Sequence, residues 1–273
     1  MTSPGNDRPR AEGTVPLQVV NDPSVTAAPI PRHAISFVLP AYNEEGNIVE
    51  AVEACVAVAT RYCSDFEVIV VDDGSSDRTA ELVTEAATRH PQVRLVRHAR
   101  NRGYGDALRT GFLSAGMEFV FFTDADNQFD LEDLRLLLPW ADHVDVVAGY
   151  RQKRADPLMR RINAWGWNRL VRVLFYVPVR DIDCAFKLFR RSALDELDIE
   201  SVGALVNTEV MVKLGRTGKT VVEVGVSHKA RTAGVARGAK LSVIARAMIE
   251  TFRMYDRLST LGPGPAPVPP PRP

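Results

Sequence analysis

The chain has 273 residues, 45% of them hydrophobic and 25% charged, with 34 Lys and Arg balanced by 34 Asp and Glu, which is enough to bury the core of one large α/β domain. Cys55, Cys63 and Cys184 show no CxxC spacing and no companion histidine cluster, which argues against a zinc site and fits a reducing, cytoplasmic compartment. No signal peptide opens the sequence and no apolar run approaches the ~18 residues of a membrane span, so the expectation is a soluble protein, attached at most to a membrane surface.

Residues 1–33 carry scattered Pro, Asn, Asp and Gly without sustained periodicity and read as a disordered N-terminal tail. The spacing then predicts strands at Ile35–Leu39, Glu67–Val71, Val93–Val96, Glu118–Thr123 and Val144–Ala148. Helices are predicted between them near 44–61, 77–89, 104–116 and 130–138. Strand–helix alternation implies a doubly wound, mostly parallel sheet flanked by helices. After residue 150 the pattern changes. Leu158, Ile162, Trp165, Arg169, Arg172, Leu174 and Phe175 fall in one helix that also carries Trp167, and residues 220–226 read as a further strand. Residues 238–258 form an amphipathic helix with Leu241, Ile244, Met248, Phe252, Tyr255 and Leu258 on one face and Lys240, Arg246, Arg253 and Arg257 on the other. The Pro-rich segment 261–273 cannot form helix or central strand and reads as a second tail, leaving 34–260 as the folded unit.

Ligands of such sheets bind beyond the carboxyl ends of the strands. Three polar clusters stand there: Pro40-Ala41-Tyr42-Asn43-Glu44, Asp72-Asp73-Gly74-Ser75-Ser76-Asp77 and Asp124-Ala125-Asp126-Asn127-Gln128. If the backbone stays extended past residue 123, Asp124, Asp126 and Gln128 face one point, a donor set suited to Mg2+ or Mn2+. Asp181-Ile182-Asp183 repeats the acid-x-acid spacing, so the pattern alone also describes a polar turn. Ser76 or Asp77 is a natural N-cap for the following helix. Gly103 and Gly105, just before a helix, would let a backbone or a phosphate approach closely.

Charge is uneven along the chain. Residues 151–191 hold eleven Lys and Arg against three acids, and residues 216–257 hold nine against three. Such clusters suit phosphate, an anionic membrane or nucleic acid, or are solvated helix faces. No recognised nucleic-acid module accompanies them, so nucleic acid is set aside. A basic helix opposite an aromatic-bearing apolar stripe either lies in a membrane interface or packs on the core.

Taken in order, these motifs resemble the family 2 glycosyltransferases of GT-A fold, and among them the dolichyl- or polyprenyl-phosphate sugar synthases. The resemblance covers about 35–258 and is carried by Leu39-Pro40-Ala41-Tyr42-Asn43-Glu44-Glu45, Val70-Val71-Asp72-Asp73-Gly74-Ser75-Ser76-Asp77, Asn101-Arg102-Gly103-Tyr104-Gly105, Thr123-Asp124-Ala125-Asp126-Asn127-Gln128, Gly149-Tyr150-Arg151 and Asp183-Cys184-Ala185-Phe186-Lys187. It implies an inverting, metal-dependent transfer of a hexose from a GDP- or UDP-linked nucleotide sugar to a polyprenyl phosphate. Pro40, Tyr42, Glu44 and one or both of Asp72 and Asp73 would hold the base and ribose, and Asp124, Asp126 and Gln128 the metal, with Ala125 lining the donor. Arg151 and Lys187 would contact donor phosphates, and Arg231 would act from a mobile loop beside the reacting phosphates. Arg160 or Arg161 would take the acceptor phosphate. Work on lipid implies a membrane surface or a membrane-protein partner at the cytosolic face.

A lipid monophosphate, with a second pKa near ~6, is already anionic at neutral pH and needs no general base. A hydroxyl or glycan acceptor must lose a proton, for which Asp183 or Glu209 are the candidates, although an acid at position 209 also suits a helix start. A non-catalytic nucleotide-sugar-binding subunit is the third reading, which intact metal ligands argue against.

Overall fold

The computed structural model describes residues 18–19, 30–152, 166–167, 169–171, 174–175, 179–229 and 250–256. Among them are the strands β1 (Gln18–Val19), β2 (Ala34–Ala41), β3 (Asp65–Asp72), β4 (Val93–Arg97), β5 (Phe119–Thr123), β6 (Val146–Arg151), β7 (Phe186–Arg190) and β8 (Val221–Val226). They form one sheet in the order β1-β8-β6-β7-β5-β2-β3-β4. Pairing is parallel throughout except at β7, which runs antiparallel to β5 and β6. The expected doubly wound, mostly parallel architecture is therefore the observed one.

The strands were visible in the sequence because both faces of the sheet are covered. All five residues of β5 and all six of β8 are buried, giving continuous apolar runs instead of alternation. Phe121 meets Phe37 and Phe186 edge-on, with ring centroids 5.4 and 4.8 Å apart. Each such buried ring contributes about 1.5–3 kcal/mol.

The covering helices include α1 (Ile48–Tyr62), α2 (Thr79–Arg89) and α3 (Tyr104–Ser114). Further along lie α4 (Leu134–Leu137), α5 (Arg191–Asp195) and α6 (Val206–Arg216). α1 buries Ile48, Ala51, Val52, Cys55, Val58 and Ala59, three or four residues apart, as a helix packed on a sheet must. The helix expected near 130–138 is broken: α4 lies between 3-10 turns at Leu131–Asp133 and Leu138–Trp140, the second containing Pro139, which has no N–H to donate.

Other expectations are corrected. β7 was not foreseen as a strand, and Phe186–Arg190 inserts between β5 and β6. Residues 1–33 are not wholly a tail: Gln18 and Val19 pair with Val222 and Glu223, and Arg32 donates to the carbonyls of Thr60 and Cys63. The open edge of β8 supplies backbone partners for that short strand. The segments 157–165 and 230–249, and the second tail, lie outside the described residues.

The three cysteines are free and buried. Burial pushes the thiols of Cys63 and Cys184 up to about 12. Residues 250–256 are helical. Thr251 and Met254 form their buried side, whereas Phe252 and Tyr255, members of the expected apolar stripe, are 54% and 43% exposed. No helix among the described residues is long and apolar enough to cross a membrane.

The topology fixes where ligands can collect. From β2 the chain moves outward to β3 and β4, then returns past β2 to place β5 on the other side. This reversal opens a crevice outside the carboxyl ends of β2 and β5. Because β7 is antiparallel, its amino end, not its carboxyl end, faces the same edge. Phe186 and Lys187 lie opposite Thr123 and Phe122, so the turn 181–185 enters the edge between β5 and β6.

Candidate active site

At the end of β2 the chain turns sharply at Asn43, whose φ of 55° is the left-handed conformation that Asn tolerates. The turn is laced to the loop after β3. Asn43 N–H donates to Ser75 Oγ, Glu44 N–H to Thr79 Oγ1 and Glu45 N–H to Asp77 Oδ2. Asp77 in turn accepts from Thr79 N–H at 3.0 Å, so it does the capping work at the start of α2 although Arg78 is the formal cap residue. Pro40 is buried within β2, while Tyr42 and Glu44 are half-buried at the crevice rim. Asn47 Nδ2 donates to Glu44 Oε2 at 2.6 Å.

The carboxylates after β3 have internal duties. Asp72 is fully buried, accepts from Ser75 N–H at 3.0 Å and pairs with Arg97 Nε at 3.0 Å. Asp73, 3% exposed, accepts from His98 Nδ1, Arg102 N–H and Gly103 N–H at 2.7, 2.8 and 2.8 Å. Both are buried in this structure and shape the loops that bound the crevice. The glycines of 103–105 serve packing too. Gly103 has φ 106°, and a Cβ at Gly105 would overlap the carbonyl oxygen of Ser201, so the close approach is by protein backbone and not by phosphate.

β5 ends at Thr123, and the next residues turn, with Asn127 at φ 57°. The extended geometry expected for 124–128 is therefore wrong, and alternation does not align these side chains. What gathers them is the turn itself. Asn127 Nδ2 donates to the Asn47 carbonyl and to Glu50 Oε2 on α1, and Gln128 N–H donates to Asp126 Oδ1. The Gln128 side-chain amide is tied to the Lys229 carbonyl at 3.2 Å, and Lys229 N–H returns a bond to the Gln128 carbonyl. Ala125 is buried at 2% exposure, packing its methyl inward where the resemblance had it line the donor.

Asp124 and Asp126 are the chemically distinctive pair. Asp124 is half-buried and Asp126 8% exposed. Burial, then the charge of Asp126, pushes the Asp124 carboxyl up to about 7. Tyr104 Oη donates to Asp124 Oδ1 at 2.8 Å, a contact that sequence spacing gave no reason to expect. On the α1 side Asp124 and Asn127 border a cavity of about 380 Å³, floored by Leu39 and the small side chains of Ala51, Ala54 and Cys55.

This pair fits a hard divalent cation. Two carboxylates that repel each other, one of them partly buried, gain from a cation between them, and among the described residues no third His, Cys, Asp or Glu joins them. Mg2+ and Mn2+ sites of this kind use one or two carboxylates and leave positions for substrate phosphates.

The basic residues divide. Arg151, at the end of β6, is forked onto Asp181, Nε to Oδ2 at 2.6 Å and Nη2 to Oδ1 at 2.7 Å. Burial works against its charge, but Asp181 holds the guanidinium well above its ordinary value. The second acid-x-acid pair is thus a brace for Arg151, with Asp183 half-buried beside it. Lys187 is 1% exposed, with its ammonium on the carbonyls of Ile182 and Cys184 and its pKa lowered by burial. In this structure it props the 181–185 turn, and its charge also reaches Asp124. Glu209, in the first turn of α6, is 2% exposed. It accepts from Glu200 and Ser201 N–H at 3.0 and 2.7 Å and pairs with Lys213 at 2.7 Å. Arg160, Arg161 and Arg231 lie outside the described residues.

Comparison with known proteins agrees with this geometry. The family model described as glycosyl transferase family 2 matches residues 36–198. An undecaprenyl-phosphate 4-deoxy-4-formamido-L-arabinose transferase of Pectobacterium carotovorum is 31% identical over 235 residues, 83% of this chain and 67% of that protein. A dolichyl-phosphate beta-glucosyltransferase of Trichomonas vaginalis is 33% identical over 175 residues, 58% of this chain and 52% of its own length. Among solved structures, glucosyl-3-phosphoglycerate synthase from Mycobacterium tuberculosis, in complex with Mn2+, UDP and phosphoglyceric acid, superposes with a TM-score of 0.66 at 19% identity. That match covers 85% of this chain and 80% of the other. A mannosyltransferase from Pyrobaculum calidifontis in complex with GDP-Man and Mn2+ gives 0.61 at 22% identity, over 93% of this chain and 69% of the other. The chain belongs to glycosyl transferase family 2 and has the GT-A fold.

Proposed function

We propose that this glycosyltransferase moves a hexose, with inversion, from a GDP- or UDP-linked donor to a polyprenyl phosphate, using Mg2+ or Mn2+. The observation that carries the reading is the crowded Asp124–Asp126 pair at the switch point of the sheet. A divalent ion bound there supplies charge stabilisation to a departing nucleoside diphosphate, a contribution of several kcal/mol. Tyr42 and Glu44 stand at the rim on the β2 side, where a nucleoside would lie. Lys229, two residues before Arg231 in sequence, is laced to Gln128, next to the proposed metal ligands. The Arg231 guanidinium would neutralise the donor phosphates, and Arg160 or Arg161 would hold the acceptor phosphate.

Two observations favour a lipid phosphate over a hydroxyl acceptor. Glu209, one of the two candidate bases, is buried and engaged by two backbone N–H groups and Lys213. A phosphate monoester needs no such base. The exposed Phe252 and Tyr255, with exposed Arg253 between them, suit a membrane interface. Both relatives described above are named for transfer to undecaprenyl or dolichyl phosphate. On this reading the protein works peripherally at the cytosolic membrane face, on the membrane itself or on a membrane-protein partner.

The test is incubation of the purified chain with Mn2+ or Mg2+, labelled GDP- and UDP-sugars, and a short polyprenyl phosphate. Label should pass into the organic phase with one donor. Turnover only with a hydroxyl acceptor, and its loss in Asp183→Asn, would replace the lipid by that acceptor.

A further inference from the structure

We propose that Tyr104 is a positioning residue for the metal ligand Asp124, fixing which carboxylate oxygen is offered to the cation; this rests on the metal-dependent reading above. The Tyr104 hydroxyl is 2.8 Å from Asp124 Oδ1. The side chain of Asn207, 7% exposed on α6, lies near enough to the same hydroxyl to oppose the rise that burial and Asp124 give its pKa. An ionised Asp124 only accepts, so the phenol must give it its one proton. The Asn207 amide is the group placed to donate to the phenol oxygen. The relay runs from α6 through α3 to the end of β5, and it leaves Asp124 Oδ2 as the oxygen without this donor.

The relay is rigid. Tyr104 opens α3, and the residues on either side of it are bolted down: Gly103 N–H to Asp73 Oδ2 at 2.8 Å and Gly105 N–H to the Val202 carbonyl at 2.9 Å. Its ring lies edge-on to Phe122, with centroids 6.4 Å apart. A hydroxyl held this firmly can set the orientation of a carboxylate on a turn that Asn127 and Gln128 hold from the other side. Groups that orient metal ligands in this way are worth about 10–100-fold in metal affinity.

Tyr104→Phe keeps the ring and deletes only the donor. Mn2+ uptake by the full chain, with UDP and separately with GDP, is read by electron paramagnetic resonance of free Mn2+. At least about a tenfold weaker Mn2+ affinity is expected, with thermal midpoint unchanged to within a few degrees. A ligand-orienting role would also broaden the bound-Mn2+ spectrum, which a mere tether between α3 and β5 would not. Asn207→Ala should weaken uptake less, and add nothing in the Tyr104→Phe background. Wild-type affinity in folded Tyr104→Phe overturns the proposal; should that variant not fold, wild-type affinity in Asn207→Ala overturns it. A wild-type chain that takes up no Mn2+ with either nucleotide overturns the metal reading itself, so the two failures are distinguishable.

Discussion

The ends of β3 and β5 carry the same chemistry and opposite environments. Asp72 and Asp73 are closed in by Arg97, His98 and three backbone N–H groups, and they hold two loops together. Asp124 faces Asp126 with a phenol as its hydrogen-bond donor, and its carboxyl rises to about 7. An acidic motif at a strand end is therefore assigned by who already donates to it. Where burial, cations and remote loops enclose the carboxylate, the acid builds the site; where two acids repel each other at the crevice, as Asp124 and Asp126 do, a cation would relieve them.

The sharpest way to break this contrast is to exchange the consequences. Asp126→Ala should cost roughly 10²–10³-fold in turnover and abolish nucleotide-dependent Mn2+ uptake, while the chain stays folded by circular dichroism. Asp73→Ala should do the reverse. It strands the His98 ring nitrogen and two backbone N–H groups in a buried site, a loss of about 3 kcal/mol in urea unfolding. Its Mn2+ affinity, measured where the variant remains folded, should fall far less than that of Asp126→Ala, by no more than loosening of Gly103 beside Tyr104 causes. Equal effects of the two substitutions on metal uptake would erase the distinction.

Glu209→Gln is the intermediate case. The amide keeps the shape but exchanges a charged acceptor for one with a single oxygen, costing about 1–2 kcal/mol of stability through Glu200, Ser201 and Lys213. If Glu209 only braces the 200–201 loop, kcat falls no more than a few-fold and its pH profile keeps its shape. Loss of the acid limb from that profile would restore Glu209 as a general base.

The sequence made the parallel half of the fold legible because β2 through β6 are short apolar runs separated by helical periodicity, and such runs report burial on both faces. It hid β7 because Phe186–Arg190 contains two cationic residues, and Lys187 is buried only because carbonyls of a turn several residues earlier receive its ammonium. Asp124 and Asp126, the proposed metal ligands, were picked out by their spacing, but for a reason that fails. The chain turns at Asn127 instead of running on as a strand, a turn that an Asn four residues past the strand could have signalled. Tyr104 was not legible at all, since its partners Asp124 and Asn207 are brought to it only by the sheet order and by α6. The partners of Asp73 and Glu209 were not legible for the same cause: they include backbone N–H groups of remote loops, and a backbone donor leaves no mark in a sequence.

The smallest effect sharpens the same comparison through pH. Asp77 belongs to the loop after β3, and its carboxylate accepts from Thr79 N–H, the Thr79 hydroxyl and Glu45 N–H. Burial raises its pKa, but the bonds from Thr79 and Glu45 outweigh it, so the folded value lies below the ordinary 3.8. The unfolded chain thus takes up the proton first as pH falls. The contribution of Asp77 is complete above about pH 4 and is lost as pH drops through the folded value. Asp77→Asn keeps one acceptor oxygen and removes the titration. It should lower stability by about 1 kcal/mol at pH 7, the usual worth of a helix cap, and flatten the acid limb of a plot of urea midpoint against pH. An acid limb as steep as that of the wild type would mean that the loop after β3 is held by something other than its carboxylates, and the contrast with the end of β5 would lose half its basis.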